Sequence, residues 1–181
     1  MTKSQIPWSM PVRLDDIPET GRRVELEADA ATRAALAQAA RVNGVPRLHA
    51  AFDLARNGRG GLHVTGVVSA TVRQTCVVTL DPVENEVEEA IDLVFAPAPA
   101  GGAASPDAPI SPDAPGVEPP EVLIDGTVDL GALATEFLLL GIDPYPRKPG
   151  AVFEPPSTGD PGESPFAALA GLRTGRGKRR G

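Results

Sequence analysis

Apolar and polar residues alternate through the middle of the chain. From Arg47, polar or small residues separate Leu48, Ala50, Phe52 and Leu54, and after Asn57-Gly58 the same parity resumes with Leu62, Val64, Gly66, Val68, Ala70 and Val72. A period of two marks a strand with one buried face, and Asn-Gly between two such runs marks a hairpin. The even positions should therefore face the core. A turn centred on Asn57-Gly58 pairs residues whose numbers sum to about 115, although the glycines at 58, 60 and 61 leave the turn length open. A third run, Val83 to Phe95, sets Val87, Ile91, Leu93 and Phe95 on one face and Glu84, Glu86, Glu88 and Asp92 on the other. The three runs predict an antiparallel meander. Arg23 to Glu27 is a further short strand candidate, and Trp8 to Leu14 a less regular one.

Two helices are expected around this sheet. Asp29 is placed to cap an alanine-rich run that continues to Val42, with Asn43-Gly44 and then Pro46 as the stop. Asp129 is placed to cap Leu130 to Leu140, with Gly141 at the end and Pro144 and Pro146 beyond. In this second helix only Thr135 and Glu136 are clearly polar, so the sheet, a partner or both must cover it. Strands with few helices and no βαβ alternation give an α+β class. The expected organisation is one α+β domain over residues 1–153, interrupted at about 97–120 by a Pro/Ala-rich insertion whose eight prolines favour disorder. Residues 154–181 read as a linker broken by Pro and Gly, a short amphipathic segment around Phe166, Leu169 and Leu172, and a basic tail.

Composition adds three constraints. The chain has 181 residues, of which 41% are apolar and 23% charged, as in soluble globular proteins. Its strongest apolar run, Phe137 to Ile142, is far shorter than the ~20 residues of a membrane helix. A single cysteine, Cys76, excludes an intrachain disulfide, and the start MTKSQIPWSM lacks the layout of a secretory signal. Together these predict a reduced, cytoplasmic protein with no membrane contact. The charge is uneven: Arg173, Arg176, Lys178, Arg179 and Arg180 crowd the last nine residues, while the other 172 carry 12 basic against 24 acidic residues. An acidic body with a basic tail does not coat nucleic acid by charge alone, but the tail suits phosphate contacts. It also has a plainer reading, as a solubilising end.

No catalytic constellation emerges. His49 and His63 lie on the polar face of the hairpin and are not opposed at a sum of about 115, so a metal site would lack both geometry and further ligands. An acidic neighbourhood around Cys76 should raise its pKa, which argues for a packed thiol rather than a nucleophile. Carboxylates spaced by two on an open strand lack the pocket that would separate their pKa values. Gly58-Arg-Gly-Gly does not form a phosphate loop. The face bearing Glu84, Glu86, Glu88 and Asp92 is either a solvated strand face or a docking surface for a basic partner. No metal, cofactor or small-molecule substrate is expected.

Two stretches resemble the YceD family of large ribosomal RNA subunit accumulation proteins: Val72-Arg-Gln-Thr-Cys-Val-Val-Thr-Leu-Asp-Pro-Val83, and Val128-Asp-Leu-Gly-Ala-Leu-Ala-Thr-Glu-Phe-Leu-Leu-Leu140 followed by Pro144-Tyr-Pro-Arg147. Their order and spacing are similar too, and the strand-rich start, the insertion and the Pro-Phe-Ala-Ala-Leu-Ala-Gly-Leu end resemble the alphaproteobacterial branch. The resemblance marks Cys76, Thr79, Leu80 and Pro82 in the first motif, and Asp129, Leu130, Glu136, Leu138, Tyr145 and Pro146 in the second. Many members carry Cys-x-x-Cys where this chain has Thr79, so a shared zinc or redox role would not carry over. Asp81 replaces the more usual Glu. What the resemblance implies is a non-enzymatic factor for synthesis, processing or stability of large-subunit (23S) ribosomal RNA. Its partners would be a ribosomal protein or pre-ribosomal particle, with ribosomal RNA met through the tail. The other reading is an acidic protein-interaction adaptor that never touches RNA.

Overall fold

A computed structural model of the chain describes residues 7–58, 60–97 and 120–153. Most of the Pro/Ala-rich insertion and all of 154–181, including the amphipathic segment and the basic tail, lie outside the described residues.

Three long strands dominate: β3 (Gly44–Asn57), β4 (Gly61–Thr75) and β5 (Pro82–Pro97). With β2 (Arg22–Glu27) and β6 (Glu121–Leu123) they form one sheet in the order β2-β3-β4-β5-β6, antiparallel except for the short β5–β6 pairing. A separate two-stranded ladder joins β1 (Pro11–Arg13) to β7 (Thr127–Asp129). The alternation makes one face apolar, as expected: Leu48, Phe52, Leu54, Leu62, Val64, Val68 and Val72 are all buried, as are Val87, Ile91 and Phe95 on β5. Helices α1 (Ala30–Ala40) and α2 (Leu130–Gly141) supply Leu36, Leu130, Ala134 and Leu138 to the same core. The class is α+β.

The hairpin register differs from the expected one. Asn57 pairs with Gly61 and Leu48 with Ala70, so partner numbers sum to 118 rather than about 115. Gly58 and Gly60 adopt left-handed conformations (φ 60° and 82°), and together they permit a three-residue connection, a length the sequence left open. An even sum pairs even positions with even positions, as in Leu48↔Ala70 and Leu54↔Val64, so the core-facing residues of both strands share one face, which an odd sum would not allow. His49 lies opposite Ser69 and His63 opposite Ala55, so the two imidazoles still do not meet.

Both helix starts form as the sequence predicts. The carboxylate of Asp29 accepts from the Thr32 N–H at 2.7 Å, and that of Asp129 accepts from the Ala132 N–H at 3.1 Å. The end of α1 comes earlier than Asn43-Gly44. Arg41 takes the left-handed conformation (φ 56°), and the Val42 N–H closes the helix on the Ala37 carbonyl at 3.0 Å. At the start of α2, a Cβ on Gly131 would come within 2.9 Å of the Ser9 backbone, so only glycine lets the helix approach the N-terminal segment this closely.

Candidate functional site

Two regions gather the predicted residues. The first is the turn after β4. Cys76 is fully buried, and its Sγ accepts hydrogen bonds from the backbone N–H groups of Val78 (3.4 Å), Thr79 (3.4 Å) and Lys148 (3.3 Å). The Leu80 N–H donates to the Cys76 carbonyl and the Cys76 N–H to the Asp81 carbonyl, which closes the turn before Pro82 opens β5. Leu80 pays for this closure with a left-handed backbone (φ 63°) and a side chain that is 76% exposed.

The strap over this turn comes from the second motif. The Val77 N–H donates to the Pro146 carbonyl at 2.9 Å, and Lys148 Nζ pairs with Asp81 at 3.0 Å. Pro146 is buried between the two segments, whereas Tyr145 next to it is 70% exposed. Beneath the strap, buried Gln74 donates to the Asp143 carbonyl at 2.7 Å and accepts from Asn85 at 2.9 Å. Donors converging on Sγ, first the Lys148 N–H and then the hydroxyl and N–H of Thr79, favour the thiolate and lower the Cys76 pKa to about 6. This reverses the expectation of a raised value: local N–H dipoles touch the sulfur, and Asp81 is itself held below the usual carboxylate range by Lys148. Lys148, Gln74 and Asn85 were not singled out by the sequence, because nothing in their spacing reveals contacts made across the fold.

The rest of the second motif builds the frame. Burial pushes the Asp129 pKa up, but hydrogen bonds from Ser9, Met10, Ala132 and Gly131 outweigh it and leave the carboxyl below its ordinary value. The Ser9 hydroxyl (2.6 Å) and Met10 N–H (2.7 Å) thus tie the N-terminal segment to the cap of α2. Leu130 and Leu138 are buried, while Glu136 is exposed on the outer side of α2.

The second region is the outer face of the sheet. Glu84, Glu86, Glu88 and Asp92 all point outward from β5, as the alternation requires. Three of them are engaged across strands. Glu84 pairs with Arg73 at 2.6 Å, Glu86 with Arg47 at 2.7 Å, and Asp92 with His63 at 2.7 Å. The Thr71 hydroxyl, followed by Arg47, holds Glu86 below the usual carboxylate range. Glu88 lies opposite Ser69 and makes no ion pair among the described residues. Asp53, Glu25 and Glu27 extend the acidic surface over β3 and β2, where Arg23 pairs with both Glu25 and Asp53. The face is therefore acidic but laced with the cations Arg23, Arg47 and Arg73.

Residues 64–173, more than half of the chain, match the model of the family described as large ribosomal RNA subunit accumulation protein YceD. The chain belongs to the YceD family. The match starts within β4 and takes in the strapped turn, the acidic strand and α2, so both sequence motifs fall inside it. No curated protein and no solved structure matches the chain. Among the described residues of this YceD member, no cluster of His, Cys, Asp and Glu is arranged to hold a metal ion. No helix there is long and apolar enough to cross a membrane.

Proposed function

We propose that this protein supports the accumulation of large-subunit ribosomal RNA as a non-enzymatic assembly factor in the cytoplasm. The observation that carries the reading is the family match across residues 64–173. Its mechanism divides labour between the two ends of the charge distribution. The outer sheet face, with Glu84, Glu86, Glu88 and Asp92, holds a basic ribosomal protein, and the tail with Arg173, Arg176, Lys178, Arg179 and Arg180 contacts ribosomal RNA. A face that carries both signs suits this role, because a basic partner can exchange the internal Arg and His contacts for its own. In this reading the strapped turn at Cys76 is the brace that holds β4, β5 and the segment after α2 in register; its sulfur is covered and fully engaged, which suits packing rather than attack on a substrate.

Cells depleted of the protein should show a selective fall in large- relative to small-subunit ribosomal RNA, with precursor ends accumulating. An unchanged ratio with normal processing would overturn the proposal. Removal of the last nine residues should weaken RNA binding and flatten its salt dependence, since fewer phosphate contacts release fewer counterions. Unaltered RNA binding by that variant would overturn the division of labour and leave a protein-only adaptor.

A further inference from the structure

The two edges of β5 are unlike. On one side it pairs with β4 along its whole length, from Thr75↔Pro82 to Leu62↔Phe95, with no shift of register. On the other, β6 meets only Phe95, Ala96 and Pro97. Among the described residues, the backbone from Val83 to Val94 has no strand partner on that side, a span of roughly 40 Å in which alternate residues aim N–H and C=O groups outward. Long open edges invite another strand, and proteins guard them with charge, proline or bulges. Here no proline or bulge interrupts Val83–Val94, and the guarding charges at 84, 86, 88 and 92 are all of one sign.

We propose that this edge receives an extended basic segment of a protein partner, which adds to the sheet as its next strand. The inference rests on the reading of the outer face as a docking surface for a basic protein, and specifies how such a protein is held. Charge selects the occupant. A second copy of β5 would set carboxylates beside carboxylates, and like charges facing each other across strands are destabilising. A segment with Lys or Arg at every second position sets cations beside Glu84, Glu86, Glu88 and Asp92 instead. Its intervening residues would fall on the inner side, where the end of α2 is pressed so tightly on β5 that a Cβ on Gly141 would come within 2.6 Å of the Glu89 and Val87 side chains. Just before that contact, Leu139 is 42% and Leu140 72% exposed. The preferred occupant therefore alternates basic and apolar residues, and main-chain hydrogen bonds supply its affinity.

The test uses the full chain and two synthetic eight-residue peptides of equal charge: one alternating Lys and Val, the other with four Lys followed by four Val. Binding is read by fluorescence anisotropy, and amide hydrogen exchange by NMR. The alternating peptide should bind about tenfold more tightly, because ladder hydrogen bonds are added to the same charge attraction. Alternate amides between Val83 and Val94 should exchange freely in the protein alone and become protected with that peptide. Glu88→Lys, which breaks no ion pair among the described residues, should weaken it. Equal binding of both peptides without new protection would overturn strand addition while leaving the acidic docking face standing. Binding by neither would overturn both readings. Full protection of β5 amides in the free protein would overturn the inference by showing the edge already covered.

Discussion

The turn at Cys76 and the outer face of β5 follow one another in sequence and use similar polar side chains, yet they do opposite things with them. At the turn, long-range hydrogen bonds fix each group: Lys148 reaches both Cys76 and Asp81 across the fold, and Pro146 holds Val77. On the face, Glu84 and Asp92 contact β4 and Glu86 reaches over β4 to Arg47 of β3, all through solvent-exposed side chains. Ion pairs of that kind contribute little to stability and exchange readily. Burial of Cys76, Gln74 and Pro146, rather than residue type, separates the brace from a surface available to other molecules. The two regions should therefore answer differently to substitution.

The largest effect belongs to the core that supports both. Leu138 is fully buried between α2 and the sheet, and Leu138→Ala should lower the unfolding free energy by about 2–5 kcal/mol through lost burial and the cavity left behind. Chemical denaturation followed by circular dichroism measures it. A loss below 1 kcal/mol would mean that α2 is not anchored as described. Next comes Asp129→Ala, expected to cost about 1–2 kcal/mol for the α2 cap alone. It should also loosen the N-terminal segment, seen as faster amide exchange at Met10, whose N–H it holds at 2.7 Å.

The brace also has a signature in pH. The Cys76 pKa is lowered to about 6 in the folded chain, against about 8.5 for an ordinary thiol. The unfolded chain therefore holds the proton more tightly between those values, and stability should rise with pH across that window. The contribution is fully present above about 8.5 and is lost as pH falls through about 6. Comparing denaturation midpoints of the native chain and Cys76→Ala from pH 5 to pH 9 checks this. Parallel pH profiles would show that the sulfur is not held as a thiolate.

These contrasts mark what the sequence could and could not reveal. The period of two, the Asp29 and Asp129 caps and the facing of the β5 carboxylates were legible because each is set by neighbours a few residues away. The register stayed open in the sequence, because Gly58 and Gly60 together allow a longer connection than Asn-Gly alone suggests. The earlier end of α1 was missed, because Arg41 takes a conformation usually left to glycine. The strap was invisible for another reason. Its contacts, Lys148 on Cys76 and Gln74 on Asp143, cross about 70 positions of chain, and no local pattern encodes them. The basic side chains woven into the acidic face were hidden likewise, since Arg47, His63 and Arg73 reach β5 only through the sheet.

The smallest effect on stability should be the most informative about the face. Arg73 pairs with Glu84 at 2.6 Å, and the two side chains are 59% and 56% exposed. Arg73→Ala should change the unfolding free energy by only about 0–1 kcal/mol. The same change removes one cation from the outer face and releases the carboxylate of Glu84, making the surface more negative. A basic peptide should then associate faster at low ionic strength, and the gain should vanish at high salt, where exposed charges are screened. Stopped-flow association at two salt concentrations separates this from any change in fold. A faster rate that persisted at high salt would point to altered shape rather than charge. No change in rate would mean that the internal Arg contacts do not compete with a basic partner, and that the face holds its ion pairs as firmly as the brace holds the turn.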